Sequence, residues 1–231
     1  METLYNSFRD YVAVKTLSGE HEYQTGEFGL QDARAAVVFR SLPPVLHLQL
    51  KRYEYDVQHD TMVEVRIASS TGYWFGSNFT PKISDRFLFP SEIDLGEFLD
   101  ETADRTASWK YQLHSVFVHC GGTHGGHSFA FIKPDRGTQW LKFDDNRVTP
   151  AAELDVLEGN YGIESPNGVV PQTRRNQAFV MKRSRNANVL VYIRETAMDE
   201  VLVPVTEKDT PLHLGEAMLG WRLEISDLFP F

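Results

Sequence analysis

Three histidines and the only cysteine of the chain crowd into one stretch, His119-Cys-Gly-Gly-Thr-His-Gly-Gly-His127, and a carboxylate pair follows in Trp140-Leu-Lys-Phe-Asp-Asp-Asn146. Asp144 comes 17 positions after His127. A glycine-flanked histidine at the start of one strand and an aspartate at the end of the next can meet across a hairpin. Such a pair suits a general base and its orienting group. A carboxylate bonded to one ring nitrogen fixes the tautomer and leaves the other nitrogen to take a proton. A base of this kind needs a nucleophile. Cys120 is the only thiol, yet it ends a predicted strand and precedes Gly121-Gly122, far from the helix N-terminus that would activate a thiolate. It reads as a small, semi-buried residue.

Two metal readings compete with the acid–base one. His119, Cys120, His124 and His127 are four zinc-ligand types, but H-C-x3-H-x2-H on a glycine hairpin is not a usual finger spacing. Asp144 and Asp145 could chelate magnesium, yet adjacent strand-end side chains point opposite ways. No metal and no other cofactor is expected.

The elements that must hold these residues follow from hydrophobic period. Val116 and Val118 share one face while Leu113, Ser115 and Phe117 share the other; after the glycine loop Phe129 and Phe131 share a face. Strands are predicted over Tyr111 to His119, Ser128 to Ile132 and Gln139 to Phe143, then a helix near Ala151 to Leu157. Earlier, alternation in Met1 to Tyr23 before Leu17-Ser-Gly-Glu20 predicts a strand pair. Leu30, Ala33, Ala36 and Val37 fall on one stripe and predict a helix over Gly29 to Arg40, stopped by Pro43-Pro44. Leu46, Leu48 and Leu50 face one way and His47, Gln49 and Lys51 the other, a half-buried strand. A short helix is predicted over Ile93 to Leu99. Glu64 to Pro81 mixes turn residues with aromatics and has no period, which predicts a long surface loop. Asn160 to Arg185 is polar and holds a basic cluster, Lys182 to Arg185, predicted as a solvated loop. Asn188-Val-Leu-Val-Tyr-Ile-Arg194 reads as a central strand with no polar face, and the tail from Thr196 as helical.

Composition bounds the class. The chain has 231 residues, 42% of them hydrophobic and 12% aromatic, as in a globular protein rather than a disordered one. A net charge of −9 argues against nucleic acid or an anionic membrane as the main partner. One cysteine excludes an internal disulfide and fits a reducing compartment. The N-terminus lacks a basic-then-apolar signal segment, and no apolar run approaches the ~20 residues needed to span a bilayer. An intracellular protein is expected.

Five segments in order carry a family likeness. Leu42-Pro-Pro-Val-Leu-His-Leu-Gln-Leu-Lys-Arg-Tyr53, Leu113-His-Ser-Val-Phe-Val-His119, His124-Gly-Gly-His127, Trp140-Leu-Lys-Phe-Asp-Asp145 and Val189-Leu-Val-Tyr-Ile-Arg-Glu195 resemble the C-terminal half of a ubiquitin-specific protease catalytic domain, peptidase family C19. Asp10-Tyr-Val-Ala-Val14 and Gly26-Glu-Phe-Gly-Leu-Gln-Asp32 look most like its herpesvirus-associated subgroup. The resemblance implies an α+β, papain-like cysteine peptidase fold: palm plus part of the fingers, with the thumb missing. Residues 1–195 would be the partial catalytic domain, with 64–81 as an insertion, and 196–231 a helical extension. It implies His127 as general base, Asp144 as its orienting carboxylate and Asp145 as an auxiliary acceptor near the oxyanion site. Tyr53, His119, His124, Gly125 and Gly126 would line the channel for the ubiquitin Gly-Gly tail. The partners implied are ubiquitin and ubiquitinated proteins, in nucleus and cytoplasm.

Three departures stand out. The family's nucleophilic cysteine lies early in its domain, and no such segment exists in this chain. The position after the catalytic histidine is usually aromatic, whereas Ser128 stands there. Glu64 to Pro81 interrupts what resembles Met62-Val63 running into Lys82-Ile-Ser-Asp-Arg86, as translated intron or a blocking loop would. The expectation is a thiol-dependent isopeptide hydrolase domain that is inactive by itself. A non-catalytic ubiquitin-binding or interaction module is the alternative.

Overall fold

The computed structural model describes residues 2–52, 54–56, 61–63, 86–122, 125–162, 185–204, 206 and 209. Its centre is a seven-stranded antiparallel sheet. The strands are β6 (Val45–Gln49), β10 (Glu92–Asp94), β11 (Lys110–Gly122), β12 (Gly125–Ile132), β13 (Trp140–Asp144), β14 (Arg147–Ala151) and β15 (Asn186–Arg194). They run β14-β13-β12-β11-β15-β6 across the sheet, with β10 also on β11. The predicted strands around the two motifs are therefore consecutive neighbours, and β15 is central, as its unbroken apolar run requires.

The core face contains a parity change. Tyr111 and Leu113 are buried at odd positions, Val116, Val118 and Cys120 at even ones. A bulge between Leu113 and Ser115 makes His114 an extra residue against β15, so the strand turns over and one apolar face continues. The sequence reading put Leu113 on the face opposite Val116; the bulge is why both are buried. Val116, Val118, Phe131, Leu190 and Trp140 fill this core, each contributing roughly 1.5–3 kcal/mol if fully removed from water. Tyr111 and Tyr192 stay buried because their hydroxyls donate to the carbonyls of Pro43 (2.8 Å) and Pro90 (2.6 Å).

Three predicted elements differ. Residues Leu4–Val12 form helix α1 rather than a strand. Thr3 caps it by accepting from the Asn6 amide at 3.1 Å, and Leu4 and Phe8, one turn apart, bury the same stripe. Phe8 stacks on Phe98 with ring centres 5.4 Å apart. Of the strand pair predicted over Met1 to Tyr23, the residues that are strand are Glu2–Thr3, Lys15–Leu17 and the first of Tyr23–Thr25, and they pair with later segments rather than with each other.

Gly29 to Arg40 is not helical. It supplies β4 (Gly29–Gln31) and β5 (Ala33–Ala35), which pair with β3 (Tyr23–Thr25) and β2 (Lys15–Leu17) as nested ladders of one long ribbon. Gly29 takes φ +71, a left-handed value suited to glycine, and Thr25 Oγ1 donates to its carbonyl at 2.9 Å. Leu30 is 59% exposed, so the apolar stripe had no surface to bury against and strand pairing prevails.

Ile93 to Leu99 splits into β10 and a single 3-10 turn at Gly96–Phe98, because Ile93 pairs with Tyr111 in the sheet. The helix expected near Ala151 is present as α2 (Glu153–Leu157), and past Thr196 the described chain holds one short helix, α3 (Met198–Val201). Residues 64–81 lie outside the described residues.

Candidate active site

β12 and β13 set the geometry. Phe131 pairs with Lys142 and Ala130 with Phe143, so the antiparallel ladder brings the start of β12 toward the end of β13. His127, Phe129 and Phe131 project from one face of β12, and Lys142 and Asp144 from the same face of β13. Nε2 of His127 meets Oδ1 of Asp144, and Nζ of Lys142 meets Oδ2 of the same carboxylate. With Nε2 engaged, Nδ1 is the ring nitrogen that no described residue hydrogen-bonds. The imidazole is 40% exposed and the aspartate 27%, so the pair is open to a reactant yet partly shielded. The Asp144 carboxyl is held below its ordinary value, first by the Lys142 hydrogen bond and next by that of His127.

Aromatic rings form the floor. Phe129 lies 6.3 Å from the His127 ring and meets Phe131 edge-on at 5.5 Å. The Lys142 ammonium sits 4.2 Å from the Phe129 ring centre, and the Arg185 guanidinium 5.2 Å from it. Arg185, expected in a solvated basic cluster, is therefore partly covered; its Nε also donates to Asn160 Oδ1 at 3.0 Å. Asn160 is fully buried, and its amide donates to the carbonyls of Asp155 (2.9 Å) and Val156 (2.8 Å). This tie from α2 to β15 had no signal in the sequence beyond an asparagine at a helix end.

Asp145 departs from expectation. Its backbone takes φ +53, a left-handed value that aspartate tolerates in a tight turn. The side chain is thereby not thrown to the opposite face. Ligating atoms of His127, Asp144 and Asp145 all lie within 4.8 Å of one another. Among the described residues this is the one trio able to share a cation, and it is neither of the sets the sequence suggested.

The other predicted residues divide. Cys120 is the direct cross-strand partner of His127, on the same face, and 9% exposed within β11. His119, its neighbour, projects from the other face and does not join the pair. A Cβ on Gly126 would stand 2.4 Å from His119 Nε2 and 2.4 Å from the Cys120 carbonyl oxygen. The missing side chain at Gly126 thus makes room for the His119 ring and for the neighbouring strand. Gly125 pairs with Gly122 in the ladder. Tyr53 and His124 lie outside the described residues. The sequence reading missed Lys142, Phe129 and Arg185, although the i, i+2 spacing of Lys142 and Asp144 already put them on one face.

The sequence model of the family described as ubiquitin carboxyl-terminal hydrolase matches residues 3–192. The chain belongs to this family. Ubiquitin carboxyl-terminal hydrolase 15 of Schizosaccharomyces pombe is 46% identical over 94% of the chain and 17% of its own length. Ubiquitin C-terminal hydrolase 12 of Arabidopsis thaliana is 44% identical over 91% of the chain and 18% of its own length. Ubiquitin carboxyl-terminal hydrolase 7 of Drosophila melanogaster is 38% identical over 97% of the chain and 17% of its own length. The chain therefore spans less than a fifth of these ubiquitin carboxyl-terminal hydrolases. Membership implies the papain-like cysteine peptidase class, and the mixed helix and sheet found here agree with it.

Proposed function

We propose that this chain carries the acid–base half of a thiol-dependent ubiquitin hydrolase site. The observation that supports it best is the engagement of His127 Nε2 by Asp144, which leaves Nδ1 as the working nitrogen. In the reaction, Nδ1 takes the proton of a cysteine thiol as the sulfur attacks the carbonyl of ubiquitin's last glycine. The same nitrogen then delivers that proton to the departing lysine amine, and a thioester remains. Water, deprotonated by Nδ1, cleaves the thioester and restores the thiol. Asp144 keeps the ring in one tautomer and offsets the imidazolium charge. Asp145, drawn toward the pair by its left-handed backbone, is the auxiliary acceptor.

Cys120 does not fill the nucleophile's role in this proposal. It is buried inside a strand, without the helix N-terminus that stabilises a thiolate. The attacking thiol is not among these 231 residues, and the chain by itself turns nothing over. In the same reading the seven-stranded sheet is the palm, the β2–β5 ribbon belongs to the fingers, His119 and Gly125-Gly126 border the tail channel, and the setting is nuclear and cytoplasmic. A ubiquitin-binding module without turnover is the second reading, favoured by the lack of any thiol other than Cys120.

A ubiquitin whose C-terminus carries an electrophile tests both. The chain alone is expected to remain unlabelled while still binding ubiquitin. The full-length protein is expected to be labelled, and to lose hydrolysis of a ubiquitin C-terminal amide on H127A substitution. Labelling of Cys120 in the chain alone refutes the assignment. Binding by a full-length protein that is never labelled favours the second reading.

A further inference from the structure

Lys142 takes no part in the proton transfers above, yet it is held at two points within the site. Its ammonium is clamped between the Phe129 ring, at 4.2 Å, and Oδ2 of Asp144, and its side chain is only 28% exposed. Lysine heads are ordinarily strongly hydrated and mobile. Here the stem lies on an aromatic floor and the head has a fixed acceptor.

The carboxylate it grips is one of two beside the imidazole. Asp145 is exposed, and one of its oxygens falls within 4.8 Å of a ligating atom of His127 and of Asp144. An aspartate held at one oxygen alone can rotate about its last bond and present either oxygen. An imidazole beside two such groups has two partners to choose from, and its tautomer follows the choice. A bond to Oδ2 removes that freedom from Asp144. It leaves Oδ1 alone for the ring, and it keeps the carboxyl ionised to lower pH. A divalent cation shared by His127, Asp144 and Asp145 would have to displace this ammonium, which already supplies the positive charge at Asp144.

We propose that Lys142 is a positioning residue of the site: by holding Oδ2 of Asp144 against the Phe129 platform, it commits Oδ1 to His127 Nε2 and so selects which imidazole nitrogen stays free. Its purpose rests on the function proposed above; its geometry does not.

Long-range proton–nitrogen spectra of the neutral His127 ring read the tautomer directly, on the full chain. The wild type is expected to hold the proton on Nε2. In K142M the ratio of tautomers is expected to move toward Nδ1–H by roughly two- to fivefold, the range for an ion pair that keeps some contact with solvent. K142R is expected to restore it. A K142M chain with the wild-type ratio overturns the proposal, as does K142R behaving like K142M. Should K142M fail to fold, the wild-type ammonium decides. Held on Asp144, it gives a sharp, slowly exchanging Nζ signal that D144N erases; a signal indifferent to D144N overturns the proposal. None of these readouts needs ubiquitin. A full-length protein that neither binds nor is labelled by ubiquitin, while the tautomer still depends on Lys142, refutes the proposed function and leaves this inference standing.

Discussion

Gly126→Ala is the most exacting perturbation of the hairpin that carries His127. The added Cβ would lie 2.4 Å from the Cys120 carbonyl oxygen and 2.4 Å from His119 Nε2, where real Cβ atoms essentially never come under 3.0 Å. The imidazole of His119 can swing aside. The carbonyl belongs to the β11 backbone and cannot, so the two strands must part at the residue next to His127. Overpacking of this kind costs about 1–3 kcal/mol. Alanine returns roughly 0.5–1 kcal/mol by lowering the backbone entropy of the unfolded chain, so a net loss near 1–2 kcal/mol is expected. Urea unfolding at equilibrium measures it, with the slope unchanged if the transition remains two-state. Gly137→Ala serves as control: its Cβ would meet only the exposed side chain of Asp135, whose hydrogen bond to the Gly137 amide is solvent-exposed and can be exchanged for water. Its stability is expected within about 0.5 kcal/mol of wild type. Displacement of the His127 ring should also cost hydrolysis in the full-length protein, on the order of tenfold for a shift of a few tenths of an ångström. Equal stability of G126A and G137A would show that the strands do not approach as closely as described, and would remove the reason for glycine at this position.

Two further substitutions probe the supports of the site. Asp144 has its native pKa depressed below 3.8, so its ionised contacts stabilise the fold above that value and are lost as pH falls through the lower native value. Urea midpoints in the acid range should therefore fall more steeply for wild type than for D144N, by up to about 1 kcal/mol for so exposed a pair; parallel curves would contradict the ion pairs. Asn160→Ala removes two donors and one acceptor at a fully buried position and strands Arg185 Nε. A loss of about 2–3 kcal/mol in thermal or urea unfolding is expected, and a change under about 0.5 kcal/mol would mean that water replaces the amide.

What the sequence revealed and what it hid differ in physical kind. β11, β12, β13 and β15 were legible because each buries a face, and burial imposes a period on the residues themselves. The His127–Asp144 meeting was legible because both ride on adjacent strands of a hairpin whose register those periods determine. The β2–β5 ribbon was not legible. Its apolar residues stay exposed, so the stripe over Leu30 to Val37 carried a helical period with nothing to enforce it. Helix α1 was hidden by the alternation read across Met1 to Tyr23, though Thr3, Leu4 and Phe8 held its cap and its buried stripe. Asp145 was misjudged because alternation assumes extended backbone, and a single left-handed residue cancels it. The bulge at His114 has the same character: one additional residue reverses a pattern that is otherwise strict.

Strands β11 to β14 follow one another along the chain and lie side by side in the sheet, so the four form a meander. Only short loops need to close before His127 and Asp144 face each other, which makes their alignment a local event in folding. β6 and β15 come from distant sequence and pair on the other side of β11. The connections leading to them tolerate inserted length at small entropic cost, since loop closure grows only logarithmically with chain length. A lineage can therefore lengthen the connections between β6 and β10 and between α2 and β15 while the proton-transfer pair keeps its register.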